Sequence, residues 1–311
     1  MTKMTSSTSE RIDSIKSRLR LPAICAPMFL VTGPDMVISA CKSGVLGTFP
    51  ATNARTEEQL VSWLDQISTS VSQADAPWAL NMITHNSYGR FDAELDLVRQ
   101  YKPELVITAL GGPHRVTDVV HGYGGFVFAD VNSPKFARKA IEKGADGLVL
   151  ICAGAGGHTG EYAMIPFVEE VRTFFDGPII VGGGIGTGRG IKAVEALGVD
   201  FAYLGTRFLA CQESLINDDY RQMVWDSKME DLIASRAITG ALGNWMRASV
   251  EAAGLTGEAM KAVAKIDFSQ DMHAGTKAWK HVWSAGQGVG LVKTPESVAD
   301  VVETLIRQYS T

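Results

Sequence analysis

The sequence has few cysteines and no excess of positive charge. Its four cysteines lie far apart in 311 residues, without a Cys-x-x-Cys pair, and each stands in or beside an apolar run. This usage argues against a zinc centre or a disulfide framework and is typical of a reducing compartment. We therefore expect a cytoplasmic protein without a metal site. The formal net charge of −5 also provides no basic surface for nucleic acid or an anionic membrane.

The sequence also lacks a long apolar stretch. No run approaches the length that crosses a bilayer, and the polar residues 1–20 contain no apolar segment of the secretory type. The helical spacing of Ile12, Ile15 and Leu19 predicts that this N-terminal tail ends in a short helix at the floor of the fold. The content of 46 % hydrophobic and 20 % charged residues is typical of a globular protein.

Eight short apolar runs recur along the chain. They are Ala23–Met28, Gly44–Phe49, Trp78–Ile83, Leu105–Leu110, Gly125–Val131, Gly147–Cys152, Pro178–Gly182 and Phe201–Phe208. Most are continuous, as in parallel strands that are covered on both faces. Helical segments lie between them, with start signals at Ser133-Pro134, near Thr187 and at Thr294-Pro295. The pattern predicts an α/β fold, a (β/α)8 TIM barrel, with a doubly wound parallel sheet as the alternative.

The alternation of strand and helix stops after the eighth run. Residues 212–281 contain no strand–helix unit and include the turn-prone Thr239-Gly240 and Gly243-Asn244. We therefore predict a barrel formed by residues 21–211 and 282–311. Residues 212–281 are predicted to be a helix-rich insertion that covers the C-terminal mouth, where the loops of barrel enzymes build the active site.

A glycine-rich loop follows the sixth predicted strand and ends at His158. Ala153, Gly154 and Gly157 allow the backbone to approach a flat ligand and to expose its N–H groups. His158 places an imidazole just beyond the strand, where it can exchange a proton near neutral pH or bind an anion. The competing interpretation is a solvated histidine on a flexible loop.

Two further loops follow the seventh and eighth predicted strands. Gly182, Gly183 and Gly184 open the first loop, and Gly205 and Thr206 belong to the second. Phosphate sites of barrel enzymes form from the loops at these two places, beside a helix N-terminus. The sequence therefore predicts a phosphate-bearing ligand, against the alternative of tight turns that bind nothing. A dinucleotide-binding fingerprint fits poorly, because no acidic residue ends the following strand.

Other strands bring further candidates to the same rim. Ala26, Pro27 and Met28 end the first predicted strand, and the methionine offers a polarizable surface to an aromatic ring. Asn81 lies near the end of the third strand, where its amide can bond a heterocycle. Asp130 lies near the end of the fifth strand, where its carboxyl either binds ligand or caps the next helix.

Two more features are secondary candidates. His85 closely follows Asn81 and is therefore the best of the remaining histidines, whereas His114 and His121 are assigned to loop or helix surfaces. The glycine-rich run 284–290 is expected to fold back over the mouth.

The combination of these motifs resembles the nitronate monooxygenase family, formerly called 2-nitropropane dioxygenases. The motifs that carry the resemblance are Ala26-Pro27-Met28, Ala155-Gly156-Gly157-His158, Gly182-Gly183-Gly184-Ile185, Gly188-Arg189-Gly190, Leu204-Gly205-Thr206-Arg207-Phe208 and Gly286-Gln287-Gly288. Each motif alone is weak, but their order and spacing are specific, and they span nearly the whole chain from Leu21 onward. The family is similar to FMN-dependent enoyl-ACP reductases.

The resemblance implies that FMN lies across the barrel mouth and that His158 is the active-site histidine. The positions implied in FMN binding are Ala26, Pro27, Met28, Asn81, Asp130, Ala153, Gly154, Gly157, Gly182, Gly183, Gly184, Gly205 and Thr206. The chain departs from the family pattern at two of them. Many members carry Glu where this chain has Gly154, and the fifth strand often ends in a basic or imidazole residue where this chain has Asp130.

The activity that the resemblance implies is oxidation of alkyl nitronates, nitroalkanes or propionate-3-nitronate by FMN and O2 to a carbonyl compound and nitrite. His158 either removes the α-proton of a nitroalkane or holds a nitronate that is already an anion. The alternative is an NAD(P)H:quinone reductase or an enoyl-ACP reductase-like FMN enzyme on the same barrel. The expected partners are this small substrate and O2, without nucleic acid or membrane, and a homodimer is left open.

Overall fold

We describe the protein from a computed structural model, which covers residues 6–255, 257, 260 and 282–311. Its strands are β1 Ala23–Cys25, β2 Leu46–Pro50, β3 Trp78–Ile83, β4 Leu105–Ala109, β5 Phe126–Val131, β6 Gly147–Ile151, β7 Gly157–His158, β8 Ile179–Gly182, β9 Phe201–Leu204, β10 Leu232–Ser235 and β11 Gly243–Met246. Its α-helices are α1 Ser6–Ser17, α2 Pro34–Ser43, α3 Glu57–Ser70, α4 Phe91–Tyr101, α5 Thr117–Gly122, α6 Pro134–Glu142, α7 Met164–Arg172, α8 Gly188–Ala196, α9 Asp218–Asp226, α10 Arg247–Ala252 and α11 Val298–Tyr309.

Eight parallel strands close into a barrel in the order β1-β2-β3-β4-β5-β6-β8-β9. The ring is closed by β9 and β1, which pair from Ala23↔Ala202 to Cys25↔Leu204. Helices lie between successive strands, so the predicted (β/α)8 fold is confirmed and the doubly wound alternative is wrong. The predicted seventh and eighth strands are β8 and β9.

The interior of the barrel is packed with side chains that alternate along each strand. Phe126 and Phe128 on β5 and Phe201 on β9 belong to this interior cluster, whereas Ala129 and Val131 face the surrounding helices. Helix α1 closes the lower end, because the buried Ile12 and Ile15 join the same interior cluster. The short helix predicted at the floor is therefore present.

The outer helices begin largely where the capping signals place them. Ser133 and Thr187 accept hydrogen bonds from the backbone N–H groups of Phe136 and Gly190, at the starts of α6 and α8. Helix α11 begins later than its Thr294-Pro295 signal, because Ser297 caps it and Asp300 completes the capping box. Its buried face, which includes Val301, packs into the outer core and completes the ring of helices.

Two strands end earlier than the apolar pattern predicts. Strand β1 stops at Cys25, and Ala26, Pro27 and Met28 form a loop in which the Met28 N–H donates to Thr32 Oγ1. Strand β9 stops at Leu204 and is followed by a single 3₁₀ turn over Thr206–Phe208. The apolar pattern records burial, and both segments remain buried or half-buried after their pairing ends.

The chain between the barrel and α11 contains strands that were not predicted. Strands β10 and β11 pair antiparallel, and β11 also pairs with β7. Helices α9 and α10 flank them. Much of the predicted insertion 212–281, including its end, lies outside the described residues, so its bounds and its cover over the mouth stay predictions.

The four cysteines, Cys25, Cys41, Cys152 and Cys211, are free and buried, as their spacing predicts. Among the described residues, no cluster of histidine, cysteine or acidic side chains is arranged to hold a metal ion. None of the described helices is both long and apolar enough to cross a bilayer.

Candidate functional site

A cavity of about 1130 Å³ opens at the carboxyl ends of the barrel strands. Its wall includes these residues named from the sequence: Ala26, Pro27, Met28, Asn81, Asp130, Gly154, Gly157, His158, Gly182, Gly183, Gly184, Gly205 and Thr206. Ala153 is the exception, since it lies behind the wall with its N–H bonded to the Tyr162 carbonyl at 2.8 Å. The structure therefore brings together nearly all of the predicted site, and the binding role of each residue stays a prediction.

His158 lies in the two-residue strand β7, at the edge of the cavity. Its strand pairs antiparallel with β11, so that His158 faces Gly243 and Gly157 faces Asn244. The imidazole Nε2 is 3.1 Å from Thr239 Oγ1. The ring is accessible from the cavity, but protein surrounds its other sides, and this burial lowers the pKa of His158 below its ordinary value. His158 is therefore a neutral imidazole at neutral pH.

The glycine-rich loop before His158 is held by its surroundings rather than left flexible. The Asn244 amide donates to the Ala155 carbonyl at 2.8 Å, and the Thr159 N–H donates to the Leu242 carbonyl at 2.9 Å. Gly156 allows another backbone to approach, because a Cβ there would lie 2.7 Å from the Gly286 nitrogen. Here a side chain would force the two segments apart.

The approaching segment is residues 284–288, which we call the covering loop. The Gly286 N–H donates to Thr206 Oγ1 at 2.8 Å, and the Gln287 N–H donates to the Gly154 carbonyl at 2.9 Å. The Tyr220 hydroxyl bonds both the nitrogen and the oxygen of Ser284. The prediction that this run folds back over the mouth is confirmed, and it joins two of the three glycine-rich loops.

The loops after β8 and β9 form the part of the wall suited to a phosphate. Gly184 has a positive φ of 73°, and a Cβ placed on it would meet no atom within 4 Å. Its backbone therefore borders open space that a ligand can fill. Thr206 precedes Arg207, whose buried guanidinium forms a two-bond ion pair with Glu296 at 2.7 and 2.9 Å. This ion pair holds the Thr206 turn in place from behind.

Three polar side chains reach the cavity from inside the barrel. Asn81, Asp130 and Tyr203 occupy the inward positions that follow Ala79, Phe128 and Phe201. In the described part of the chain, Asp130 Oδ1 and Tyr203 Oη are buried and have no hydrogen-bond partner.

Burial raises the pKa of Asp130 to about 7, although a hydrogen bond from Asn81 works against this shift. The pKa of Tyr203 is raised well above its ordinary value, first by burial and then by the charge of Asp130. Tyr203 is therefore a neutral phenol, close enough to Asp130 to respond to its charge. Unpartnered buried polar atoms cost about 1–3 kcal/mol each, so this part of the wall is suited to a polar ligand.

The charges on the cavity wall differ from those of the whole chain. Asp130 is the only carboxyl among the described wall residues, although the chain carries a net charge of −5. The basic and imidazole groups on the wall are His85, His114, Lys139, Lys143 and His158. A cavity with this balance of charges favours an anionic ligand.

Sequence reasoning missed several wall and supporting residues. Tyr203 is in phase with Phe201 on a predicted strand, so the alternation of that strand contains the signal. Lys139 and Lys143 lie four residues apart and reach the cavity from the region of α6. Thr239 and Asn244 have no such signal, because a two-residue strand leaves no periodicity and the pairing of β7 with β11 spans more than eighty residues.

The fold and the site together define a barrel enzyme with a ligand-binding mouth made from its βα loops. A sequence profile of the nitronate monooxygenase family matches residues 52–308. The chain therefore belongs to the nitronate monooxygenase family, a family of flavin-dependent oxidoreductases. This membership confirms the resemblance found in the motifs.

Two curated relatives and one solved structure place the chain within this group. It is 27 % identical to a nitronate monooxygenase of Paraburkholderia phytofirmans, over 92 % of each chain. It is 28 % identical to the (3aS,4S,5R,7aS)-5-hydroxy-7a-methyl-1-oxo-octahydro-1H-indene-4-carboxyl-CoA dehydrogenase of Rhodococcus jostii, over 70 % of this chain and 60 % of that relative. FabK from Thermotoga maritima shares the fold, with a TM-score of 0.80, 21 % identity and 96 % of each chain covered.

Proposed function

We propose that the cavity binds FMN and that the protein oxidises alkyl nitronates or nitroalkanes with O2 to a carbonyl compound and nitrite. The residues present fit this cofactor. The turns at Gly183–Gly184 and Gly205–Thr206 would hold the phosphate, and Asn81 and Asp130 offer polar groups to the heterocycle. The unpartnered oxygens of Asp130 and Tyr203 fit a polar ring edge, because such atoms are satisfied when a ligand binds.

The flavin, when bound, supplies the electron transfer between the substrate and O2. The chain's own residues position the anion and control its proton. His158 is neutral at neutral pH, so its imidazole can accept the α-proton of a nitroalkane or donate a hydrogen bond to a nitronate. The Thr239 hydroxyl, 3.1 Å from His158 Nε2, restricts the orientation of the ring.

The observation that carries the proposal is the placement of His158 at the edge of a cavity whose wall holds a single described carboxyl. The test is nitrite release in air from a propyl nitronate and from propionate-3-nitronate, with purified protein whose denaturation releases FMN. A colourless protein that cannot be reconstituted with FMN contradicts the cofactor assignment. A flavin-loaded protein that releases no nitrite contradicts the substrate assignment alone.

Replacing His158→Ala should keep the flavin and reduce turnover of a neutral nitroalkane by roughly 10²- to 10⁴-fold, as loss of a general base does. A smaller loss on a preformed nitronate identifies His158 as the base, whereas equal losses identify it as the residue that holds the anion. The matched control is His121→Ala. His121 is away from the cavity wall and pairs with Asp146 at 2.8 Å, so its loss should leave turnover unchanged. Unchanged turnover in His158→Ala contradicts both roles.

A second candidate function is NAD(P)H-dependent reduction of a quinone or an enoyl thioester on the same barrel. It is favoured by the part of the cavity that continues past Asn132 toward Phe136, Lys139 and Lys143. These side chains offer an aromatic surface and two cations, which suit a carrier that bears phosphate groups. Anaerobic mixing with NADH and with NADPH separates the candidates, because rapid bleaching of the flavin band is expected only of the reductase.

A further inference from the structure

The inward face of β5 changes from apolar to acidic at its last inward position. Phe126 and Phe128 are buried in the barrel interior, and Asp130 follows them on the same face. Asp130 borders the cavity, yet its Oδ1 is buried and has no hydrogen-bond partner in the described part of the chain. Tyr203, only 7 % exposed, borders the same cavity with an equally unpartnered hydroxyl. Two such oxygens in one place point to a bound group.

The groups that face Asp130 provide no counter-ion. The neighbouring strands β4 and β6 carry no titratable side chain, and Asn81 and Tyr203 are neutral. Burial and the Asn81 hydrogen bond account for the shift of the Asp130 pKa, so none of the basic residues on the cavity wall contributes: His85, His114, His158, Lys139 and Lys143. An ionised Asp130 is therefore an uncompensated charge, and the protonated form is favoured near neutral pH.

We propose that Asp130 is the proton-accepting group that couples reduction of the bound flavin to uptake of a second proton. The inference rests on the proposed function, because it requires a flavin in the cavity. Two electrons from a reductant and one proton from water convert oxidised flavin to its anionic reduced form. If Asp130 is ionised, the new negative charge beside it favours uptake of another proton from water, which converts the carboxylate to the acid.

This coupling gives the reduction potential a distinctive dependence on pH. Where Asp130 is already protonated, one proton is taken up for two electrons. Where Asp130 is ionised beside oxidised flavin and protonated beside reduced flavin, two protons are taken up, so the slope of potential against pH doubles. The slope therefore steepens as pH rises through about 7. Loss of a proton from the reduced flavin itself changes the slope in the opposite direction, so the two events are distinguishable.

The experiment is spectroelectrochemical titration of the FMN-loaded protein between pH 5.5 and pH 9. We expect a doubled slope at alkaline pH in the wild type and a single slope in Asp130→Asn. The control Asp118→Asn, an exposed carboxyl in the first turn of α5, should behave as the wild type does. A slope of one proton for two electrons throughout, shared by wild type and Asp130→Asn, overturns the proposal.

A second measurement needs neither flavin nor a variant of Asp130. Infrared spectroscopy of the protein without FMN should show a protonated carboxyl band at pH 6 that disappears with a midpoint near pH 7. Burial also raises the pKa of Glu94 to about 7, so the samples carry Glu94→Gln. Absence of the band overturns the proposal. A protein that binds no flavin but shows the band contradicts the proposed function instead, so the two failures are separable.

Discussion

The floor and the mouth of the barrel are built from the same strands, two residues apart. Phe128, Phe201 and Ala79 face the interior at the lower level, and each is buried in contact with apolar neighbours. The next inward residues are Asp130, Tyr203 and Asn81, which border the cavity. At the lower level every group is apolar and its burial stabilises the fold. At the upper level two buried oxygens have no described partner, and that cost is recovered only when a ligand binds.

Two buried carboxyls sharpen this difference. Burial raises the pKa of both Asp130 and Glu94 to about 7. Glu94 lies outside the barrel on α4, where it accepts a hydrogen bond from the Tyr88 hydroxyl at 2.6 Å and lies 3.3 Å from an Arg90 nitrogen. Asp130 has no basic partner and faces the cavity. One carboxyl is part of the packing between helices, and the other is available to a ligand.

The largest effect is expected where the floor itself is broken. Phe128 is fully buried, and its ring lies over Gly147, whose Cβ position is 2.1 Å from a ring carbon. Phe128→Ala should destabilise the protein by about 3–5 kcal/mol, which corresponds to a fall in thermal midpoint of roughly 10 °C. Thermal denaturation followed by circular dichroism measures it.

The matched control for this effect is Phe136→Ala. Phe136 is 52 % exposed, so its loss should change the thermal midpoint little. At low temperature Phe128→Ala should still bind FMN, because the groups above the floor are unchanged. A variant that keeps its thermal midpoint but loses FMN would reverse the assignment of stability to the floor and binding to the mouth.

The sequence predicts the floor better than the mouth, for a physical reason. Continuous apolar runs record burial on both faces of a strand, and all eight barrel strands were found from them. Burial continues past the last hydrogen-bonded pair, so the ends of β1 and β9 were placed too late. The glycine-rich loops were located because glycine serves a close backbone approach at Gly156 and a positive φ at Gly184.

The contacts that hold the mouth together were not predictable in the same way. His158 was identified as a candidate, but its pairing with β11 joins residues that carry no shared pattern. Tyr203 was placed on a strand without recognition that its inward phase leads to the cavity. Ala153 was grouped with its glycine neighbours, although its N–H is used by Tyr162. Long-range pairing decides these positions, and local periodicity does not report it.

The second largest effect is expected at Glu94. Its pKa is raised in the folded protein from 4.5 to about 7, so the folded state binds this proton more tightly than the unfolded state. The resulting stability is fully present below pH 4.5, decreases as pH rises to about 7 and is constant above that. The loss amounts to about 3 kcal/mol. Glu94→Gln should flatten this part of the stability profile, measured by urea denaturation between pH 4.5 and pH 8.

The control for Glu94 is Glu169→Gln, an exposed carboxyl on α7, which should keep the wild-type profile. Equal slopes in Glu94→Gln and wild type contradict the assignment of this pH dependence to Glu94. A residual slope that Asp130→Asn removes would show that the carboxyl at the mouth also contributes to stability, and would weaken the separation between the two regions.

The smallest effect is expected at Thr206, where the mouth is held by the covering loop. Its hydroxyl accepts the Gly286 N–H at 2.8 Å, and we propose that the same hydroxyl donates to the FMN phosphate. Thr206→Val keeps the shape and removes the hydroxyl, so FMN should bind roughly ten- to a hundredfold more weakly, as expected for a hydrogen bond to a charged group. Thr206→Ser retains the hydroxyl and should bind FMN as the wild type does.

Riboflavin separates the two roles of the Thr206 hydroxyl, because it carries the same ring without the phosphate. If the hydroxyl contacts the phosphate, Thr206→Val weakens FMN binding and leaves riboflavin binding nearly unchanged. If it acts only by anchoring the covering loop, both ligands lose affinity equally. Fluorescence titration of the protein without cofactor measures both dissociation constants. Equal losses would assign Thr206 to the support of the mouth and leave the phosphate to backbone N–H groups at Gly183 and Gly184.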